Sequence, residues 1–306
     1  MKIDISVVAV FFDMAREAPR TLFSLSPGYQ KNAEQISYEV IAIDNGSTRR
    51  IPPEAGRELG DRLRYLYLDS PLPSPAAALN QGVRQARGNI VIVLIDGARI
   101  LSPGIIGLTA AAFRAFATPF VYTMGMHLGP AVQNKSILNG YNQEVEDRLL
   151  AEASWTANGY KLFGISSLAA SASMGVFGGV SESNCIALHK KIYLDMGGMD
   201  ERFVSPGGGL VNLDFFIRLH ERDSMEPVML LGEATFHQIH GGVATNVPME
   251  RHPLNRFATE YAEIHGRPYA PVWRPPLYLG GVPDALKPFL SMAPEAVASP
   301  HKTDRR

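Results

Sequence analysis

An α/β fold with a mainly parallel sheet flanked by helices is what this sequence predicts, and three observations carry the prediction. Short, continuous apolar runs rich in β-branched residues recur along the first half, as expected of strands covered on both faces. Segments with helix-start and helix-stop residues separate them, and strand, helix, strand in sequence implies parallel pairing through right-handed crossovers. Two of the runs end in an aspartate followed by Gly or Asn-Gly, Asp44 and Asp96, at the strand ends where ligands of such sheets bind.

The elements follow in order. Ile5 to Phe11 is a strand, and "MKIDISVVAVFF" reads as this strand rather than a signal peptide because it lacks a small-residue cleavage site. "APRTLFSLS" suits a short helix, "YEVIAIDNGST" a second strand and "LRYLYLD" a third. In "SPAAALNQGVRQARG", Ser74 caps, Pro75 takes the first helical turn, and Gly88 ends the helix in the left-handed conformation. "NIVIVLID" is the fourth strand and "GIIGLTAAAFRAF" another helix. "GISSLAASASMGVFGGVS" is too weakly apolar for a membrane span and reads as a loop or small-residue helix. Beyond Gly242, "NRFATEYAEIHGRPY" places Phe257, Tyr261 and Ile264 at helical spacing with Gly266 as the stop. "APVWRPPLYLGGVP" should run extended over the surface, "DALKPFLSMAPEAV" should add a last short helix, and "SPHKTDRR" is polar enough to be disordered.

Composition narrows the function. The 306 residues are 46% hydrophobic and 19% charged with a net charge of −1, so there is no electrostatic reason for a nucleic-acid or anionic-membrane partner. The single cysteine, Cys185, excludes an internal disulfide or a cysteine-built zinc site and points to a reducing, cytoplasmic setting. Neither G-x-G-x-x-G after the first strand nor G-x-x-x-x-G-K-[ST] anywhere occurs, which argues against a dehydrogenase or a kinase.

The ordered set "ISVVAVFFDM", "TLFSL", "YEVIAIDNGST" and "ALNQGVRQARGNIVIVLIDGARILSPG" resembles the nucleotide-sugar half of the family 2 glycosyltransferases, whose fold is of the GT-A type. "SNCIALHKKIYLDMGGMDERF", "GGGLVNLDFFIRL" and "EATFHQIHGG" resemble the acceptor half. The expected organisation is a GT-A domain over residues 1–242, with a Rossmann-like nucleotide-sugar half (1–125) and an acceptor half (126–242), and a helical, proline-rich extension over 243–306.

The resemblance implies transfer of a sugar from a nucleotide-sugar donor to a glycan, lipid-linked sugar or small-molecule acceptor, with Mn²⁺ or Mg²⁺ on the diphosphate. A hard cation with oxygen ligands neutralises the charge that grows on the leaving group. The family's Asp-x-Asp falls on Asp96, Gly97 and Ala98, so the second carboxylate is absent. By the same resemblance Asp44, Asn45 and Gly46 face the base and ribose, and Asn80 and Gly82 lie near the nucleotide. Ala9 and Phe11 line the base pocket through backbone and ring surface, and His237 completes the metal site. An imidazole compensates in part for a missing carboxylate. In an extended strand His237 and His240 point to opposite faces, so they chelate together only if the chain bends at Gly241.

The family's Glu-Asp base pair is replaced by Val211 and Asn212, and asparagine takes no proton. Three accounts stay open. Asp214 or Glu182 serves as base with inversion, the leaving phosphate assists with retention, or the chain binds nucleotide or glycan without turnover. Asp214 also suits a helix start, Asp200 and Glu201 suit a tight turn, and Trp155 fills core or stacks on a sugar. The glycines of "SPGGGLVN" border the sugar and acceptor site, and the tail either covers that site or pairs subunits in a homo-oligomer.

Overall fold

The computed structural model describes residues 2–69 and 71–290. The terminal "SPHKTDRR" and the end of "DALKPFLSMAPEAV" lie outside them. In chain order the elements are β1 (Ile5–Phe11), α1 (Ala18–Ser24), β2 (Tyr38–Asp44), β3 (Leu63–Tyr67), α2 (Ala76–Gln85), β4 (Ile90–Leu94), β5 (Arg99–Leu101), α3 (Ile105–Ala115) and β6 (Pro119–Leu128). There follow α4 (Gln133–Ser136), α5 (Gln143–Ala153), β7 (Ser166–Leu168), β8 (Ile186–His189), α6 (Lys190–Asp195), α7 (Val211–His220), β9 (Glu226–His237), α8 (Leu254–His265) and β10 (Leu277–Gly280).

The sheet runs β10-β9-β6-β8-β4-β1-β2-β3, with β5 added to β9 and β7 to β6. Pairing is parallel from β4 through β1 and β2 to β3, and again among β6, β9 and β10. Between the two parallel blocks β8 is reversed, pairing antiparallel with β4 and β6. This reversal brings the residues just before β8 to the carboxyl end of β4.

All seven residues of β1 and of β2 are buried, because both faces are covered. Val8, Val10, Ile41 and Ile43 pack beneath α2, while Val7, Ala9, Phe11, Val40 and Ala42 pack with Leu22 of α1 on the other face. The α2 contact depends on Gly82, where a Cβ would lie 2.4 Å from Val8 Cγ1 and 2.5 Å from Ile43 Cδ1. In an exposed helix Gly→Ala gains up to about 1 kcal/mol. Here overpacking outweighs that gain, and Gly82→Ala should destabilise the protein by about 1–3 kcal/mol in urea unfolding.

Helix α2 ends at Gln85, before Gly88. Gly88 is instead a close-approach residue whose Cβ would stand 2.7 Å from the Ser6 backbone nitrogen, and its φ is not left-handed. Trp155 is core, 6% exposed and edge-on to Phe23 and Tyr29. Helix α8 buries Phe257 and Tyr261 and stops at Gly266 with φ +66°. The proline-rich segment is extended as expected, and it also donates the Arg274 backbone N–H to His220 Nδ1 at 3.2 Å and adds β10 to the sheet beside β9. The expected last helix is a short 3₁₀ segment, Asp284–Phe289. No helix among the described residues is long and apolar enough to cross a membrane.

Candidate active site

The site forms where β4, β5, β6 and β9 meet. Asp96 follows the end of β4, and the chain then turns into β5, whose Arg99 pairs with His237 on β9. On the other side of β9, His127 of β6 is in register with His237. Residues paired across a sheet project to one face, so Arg99, His237 and His127 stand side by side, the two rings with centroids 5.2 Å apart.

Asp96 has a side chain 20% exposed, against 1% for His237 and 12% for His240. One carboxylate oxygen lies 3.1 Å from His237 Nε2 and 3.2 Å from Arg99 Nε. The other accepts the Ala98 N–H at 3.0 Å and lies 3.9 Å from His240 Nε2. Burial opposes the charge of Asp96, yet the positive charge that His237 in its protonated form, Arg99 and His240 can bring beside it holds its carboxyl well below the usual range. Burial pushes the His237 imidazole down to about 4, Asp96 only partly offsetting it.

Of the two arrangements open to His237 and His240, the structure has the one in which the chain bends at Gly241 and the rings converge. Strand β9 ends at His237, so the alternation of an extended strand does not continue to residue 240. The chain curls instead, with Gly241 at φ +84°, and the N–H groups of His240, Gly241 and Gly242 all donate to Asn246 Oδ1 at 2.8–3.0 Å. The two Nε2 atoms thereby come within 3.2 Å. Ligand atoms of Asp96, His237 and His240 all lie within 4.8 Å of one another. One carboxylate oxygen with two imidazole nitrogens is a mixed donor set, in which the carboxylate suits Mn²⁺ or Mg²⁺ and the imidazoles suit the borderline metals.

Buried charge holds this curl. Glu146 of α5 is fully buried and accepts the Ile239 N–H at 2.9 Å and the Tyr141 hydroxyl at 3.0 Å. Arg16 donates to Glu146, to Glu17 and Asp147, and to the Ile239 carbonyl. Desolvation raises the Glu146 carboxyl to about 7 despite Arg16.

The remaining residues expected at the nucleotide are mostly committed to the fold. Asp44 is fully buried, accepting the Ser47 and Ile51 N–H groups and the Tyr65 hydroxyl, so it closes its own loop rather than facing a crevice. Asn45 donates to the Leu72 carbonyl, and Gly46 lies against Pro71. Asn80 bonds Tyr193, Met199 and Glu201, joining α2 to the second half. Gly82 and Ala9 are packing residues, and the Phe11 ring is 0% exposed, covered by Gly97 at a distance no side chain allows. These side chains are turned inward because strand ends in a fully covered sheet are themselves core.

Asp214 is corrected as a base. It is 1% exposed, with Arg218 Nε on one oxygen at 2.7 Å and His265 Nε2 on the other at 2.9 Å. Asp200 is likewise gripped by Arg202, so although Asp200, Asp214 and His265 cluster closely enough to hold a metal, arginines already supply the positive charge. Glu182 remains partly exposed and accepts a hydrogen bond from Asn212 Nδ2 at 3.0 Å. Sequence reasoning missed Arg99, His127, Gln133 and Asn246, of which His127 alone carried a local signal, a histidine at the end of an apolar run.

No curated protein matches the chain in sequence. Among solved structures, S. aureus TarS 1-349 superposes with a TM-score of 0.48 at 12% identity over 77% of this chain, which spans 60% of that structure. A mycobacterial protein gives 0.45 at 17% identity, covering 88% of this chain and 76% of that one. The mannosyltransferase PcManGT from Pyrobaculum calidifontis, in complex with GDP-Man and Mn²⁺, gives 0.37 at 16%, covering 69% and 53%. The family description glycosyl transferase family 2 matches residues 6–114, the stretch from β1 to the end of α3 that carries Asp44 and Asp96. Residues 6–114 thus match the family description glycosyl transferase family 2, and they lie in a mainly parallel sheet flanked by helices.

Proposed function

We propose that the protein transfers a hexosyl-type sugar from a nucleotide-sugar donor to an acceptor hydroxyl, with Mn²⁺ or Mg²⁺ held by Asp96, His237 and His240. The observation that carries this is the convergence of one carboxylate and two imidazoles at the carboxyl edge of the sheet, in a chain whose first third matches the glycosyltransferase family. The cation would supply positive charge to the departing nucleoside diphosphate. Arg99, beside Asp96, keeps that carboxylate ionised and fixed.

The acceptor hydroxyl attacks the anomeric carbon as the bond to the diphosphate breaks, and its proton passes to Glu182. Extending the antiparallel β4–β8 register, in which Val93 faces Ile186, sets the residues before β8 beside those after β4. Glu182 therefore shares the sheet edge of Asp96, and Asn212, in the slot the family gives to its base, orients the glutamate instead of replacing it.

The test is a thermal-shift panel of UDP, GDP, TDP and CMP with and without Mn²⁺. One nucleotide at a hundredfold excess over its Kd should stabilise the protein by about 2.7 kcal/mol, only when Mn²⁺ is present, and His237→Ala should remove the shift. Absence of a shift with every nucleotide would overturn the transferase reading in favour of a protein that binds glycan without turnover.

A further inference from the structure

We infer that Gln133 and Asn246 are positioning residues that lock His237 in the tautomer with its proton on Nδ1, so that a bare Nε2 lone pair faces Asp96. The inference rests on the cation reading above for its purpose, but not for its geometry.

The hydrogen bonds linking Asn246, Gln133 and His237 fix which amide atom is oxygen and which is nitrogen. One side-chain atom of Asn246 receives three backbone N–H groups, those of His240, Gly241 and Gly242, and so must be the amide oxygen. The other atom is then the NH₂, which lies 2.7 Å from one terminal atom of Gln133; that atom must accept and is Oε1. The remaining atom of Gln133 is its NH₂, consistent with its place 2.9 Å from the His237 carbonyl oxygen. Gln133 Oε1 lies 2.8 Å from His237 Nδ1, and since an amide oxygen only accepts, Nδ1 carries the proton.

The consequence falls on the opposite side of the ring. A neutral imidazole protonated on Nδ1 presents an unprotonated Nε2, here 3.1 Å from the Asp96 carboxylate and 3.2 Å from His240 Nε2. Left alone, the lone pair and the carboxylate repel; the opposite tautomer would instead satisfy Asp96 with an N–H. The protein therefore builds a fully bonded relay that holds the ring in the tautomer unfavourable toward Asp96 and suitable for a shared cation. Gln133 and Asn246 both lie beyond the matched residues 6–114, and Gln133 also donates its backbone N–H to His127 Nδ1, tying the relay to β6. The Gln133 side chain is fully buried, so water does not substitute for it.

The experiment uses the whole protein, ¹⁵N-labelled at histidine and free of metal, with the His237 ring nitrogens read by two-bond ¹H–¹⁵N correlation. Wild-type protein should show the proton on Nδ1; a proton on Nε2 overturns the inference without any variant being made. Asn246→Asp keeps an oxygen for the three backbone N–H groups but removes the donor to Gln133, freeing that amide to turn and offer its NH₂ to Nδ1. The Nε2-protonated form should then appear, and Mn²⁺ affinity measured by electron paramagnetic resonance should fall about 10–100-fold. An unchanged tautomer and unchanged Mn²⁺ affinity in a folded Asn246→Asp protein would also overturn it. If wild type shows the Nδ1 proton and the variant shifts it, yet neither binds Mn²⁺, the positioning role stands and the cation reading fails.

Discussion

Asp96→Asn should abolish Mn²⁺-dependent nucleotide binding and lower sugar transfer by at least about 100-fold. Removing an outer partner of a metal ligand already costs 10–100-fold, and Asp96 is the sole anionic ligand of the proposed set, so its loss should cost no less. The substitution keeps the side-chain shape and the oxygen that accepts the Ala98 N–H, which isolates the charge. It also leaves Arg99, 5% exposed, without its carboxylate partner. Uncompensated buried charge costs about 3–5 kcal/mol, so the melting temperature should fall too. Assays at a temperature where circular dichroism shows the variant folded separate the two effects. Normal nucleotide affinity in that folded variant would remove Asp96 from the site.

Glu182→Gln should leave nucleotide binding intact while transfer falls by about 10²–10⁴-fold, the usual contribution of a positioned base. The amide is isosteric and keeps a contact with Asn212, but accepts no proton. Asp214→Asn is the contrast. It should damage stability through Arg218 and His265 rather than transfer as such, because Asp214 joins α7 to α8 and is closed to solvent. Transfer at wild-type rate in Glu182→Gln, measured with the donor identified by the nucleotide panel, would assign the proton elsewhere and favour assistance by the leaving phosphate.

The family match stops at residue 114, and three of the proposed functional residues, Glu182, His237 and His240, lie beyond it. The second half of the chain thus supplies the base and two of the three metal ligands. A fragment ending near α3 would retain Asp96 and Arg99 without the two histidines.

Local chemistry alone determined the alternation of strands and helices, the left-handed stop at Gly266 and the placement of Asp44 and Asp96 at strand ends. Those features depend on residues close in sequence, through backbone conformation and hydrophobic period. The sequence also exposed the lone Asp96 and the missing base, since both are identities at fixed positions. It did not reveal which strand-end residues face a ligand. Asp44 and Phe11 look alike from sequence to residues of a pocket, yet Ser47, Ile51, Tyr65 and Gly97 turn them into core. Only the tertiary structure decided that His237 and His240 converge, because the curl after β9 is set by Asn246 from beyond it and by Glu146 and Arg16 from far upstream. The register that sets Arg99 and His127 on either side of His237 joins residues more than 100 apart. Pairings at that separation are fixed by the packing of the whole sheet, and no local pattern records them.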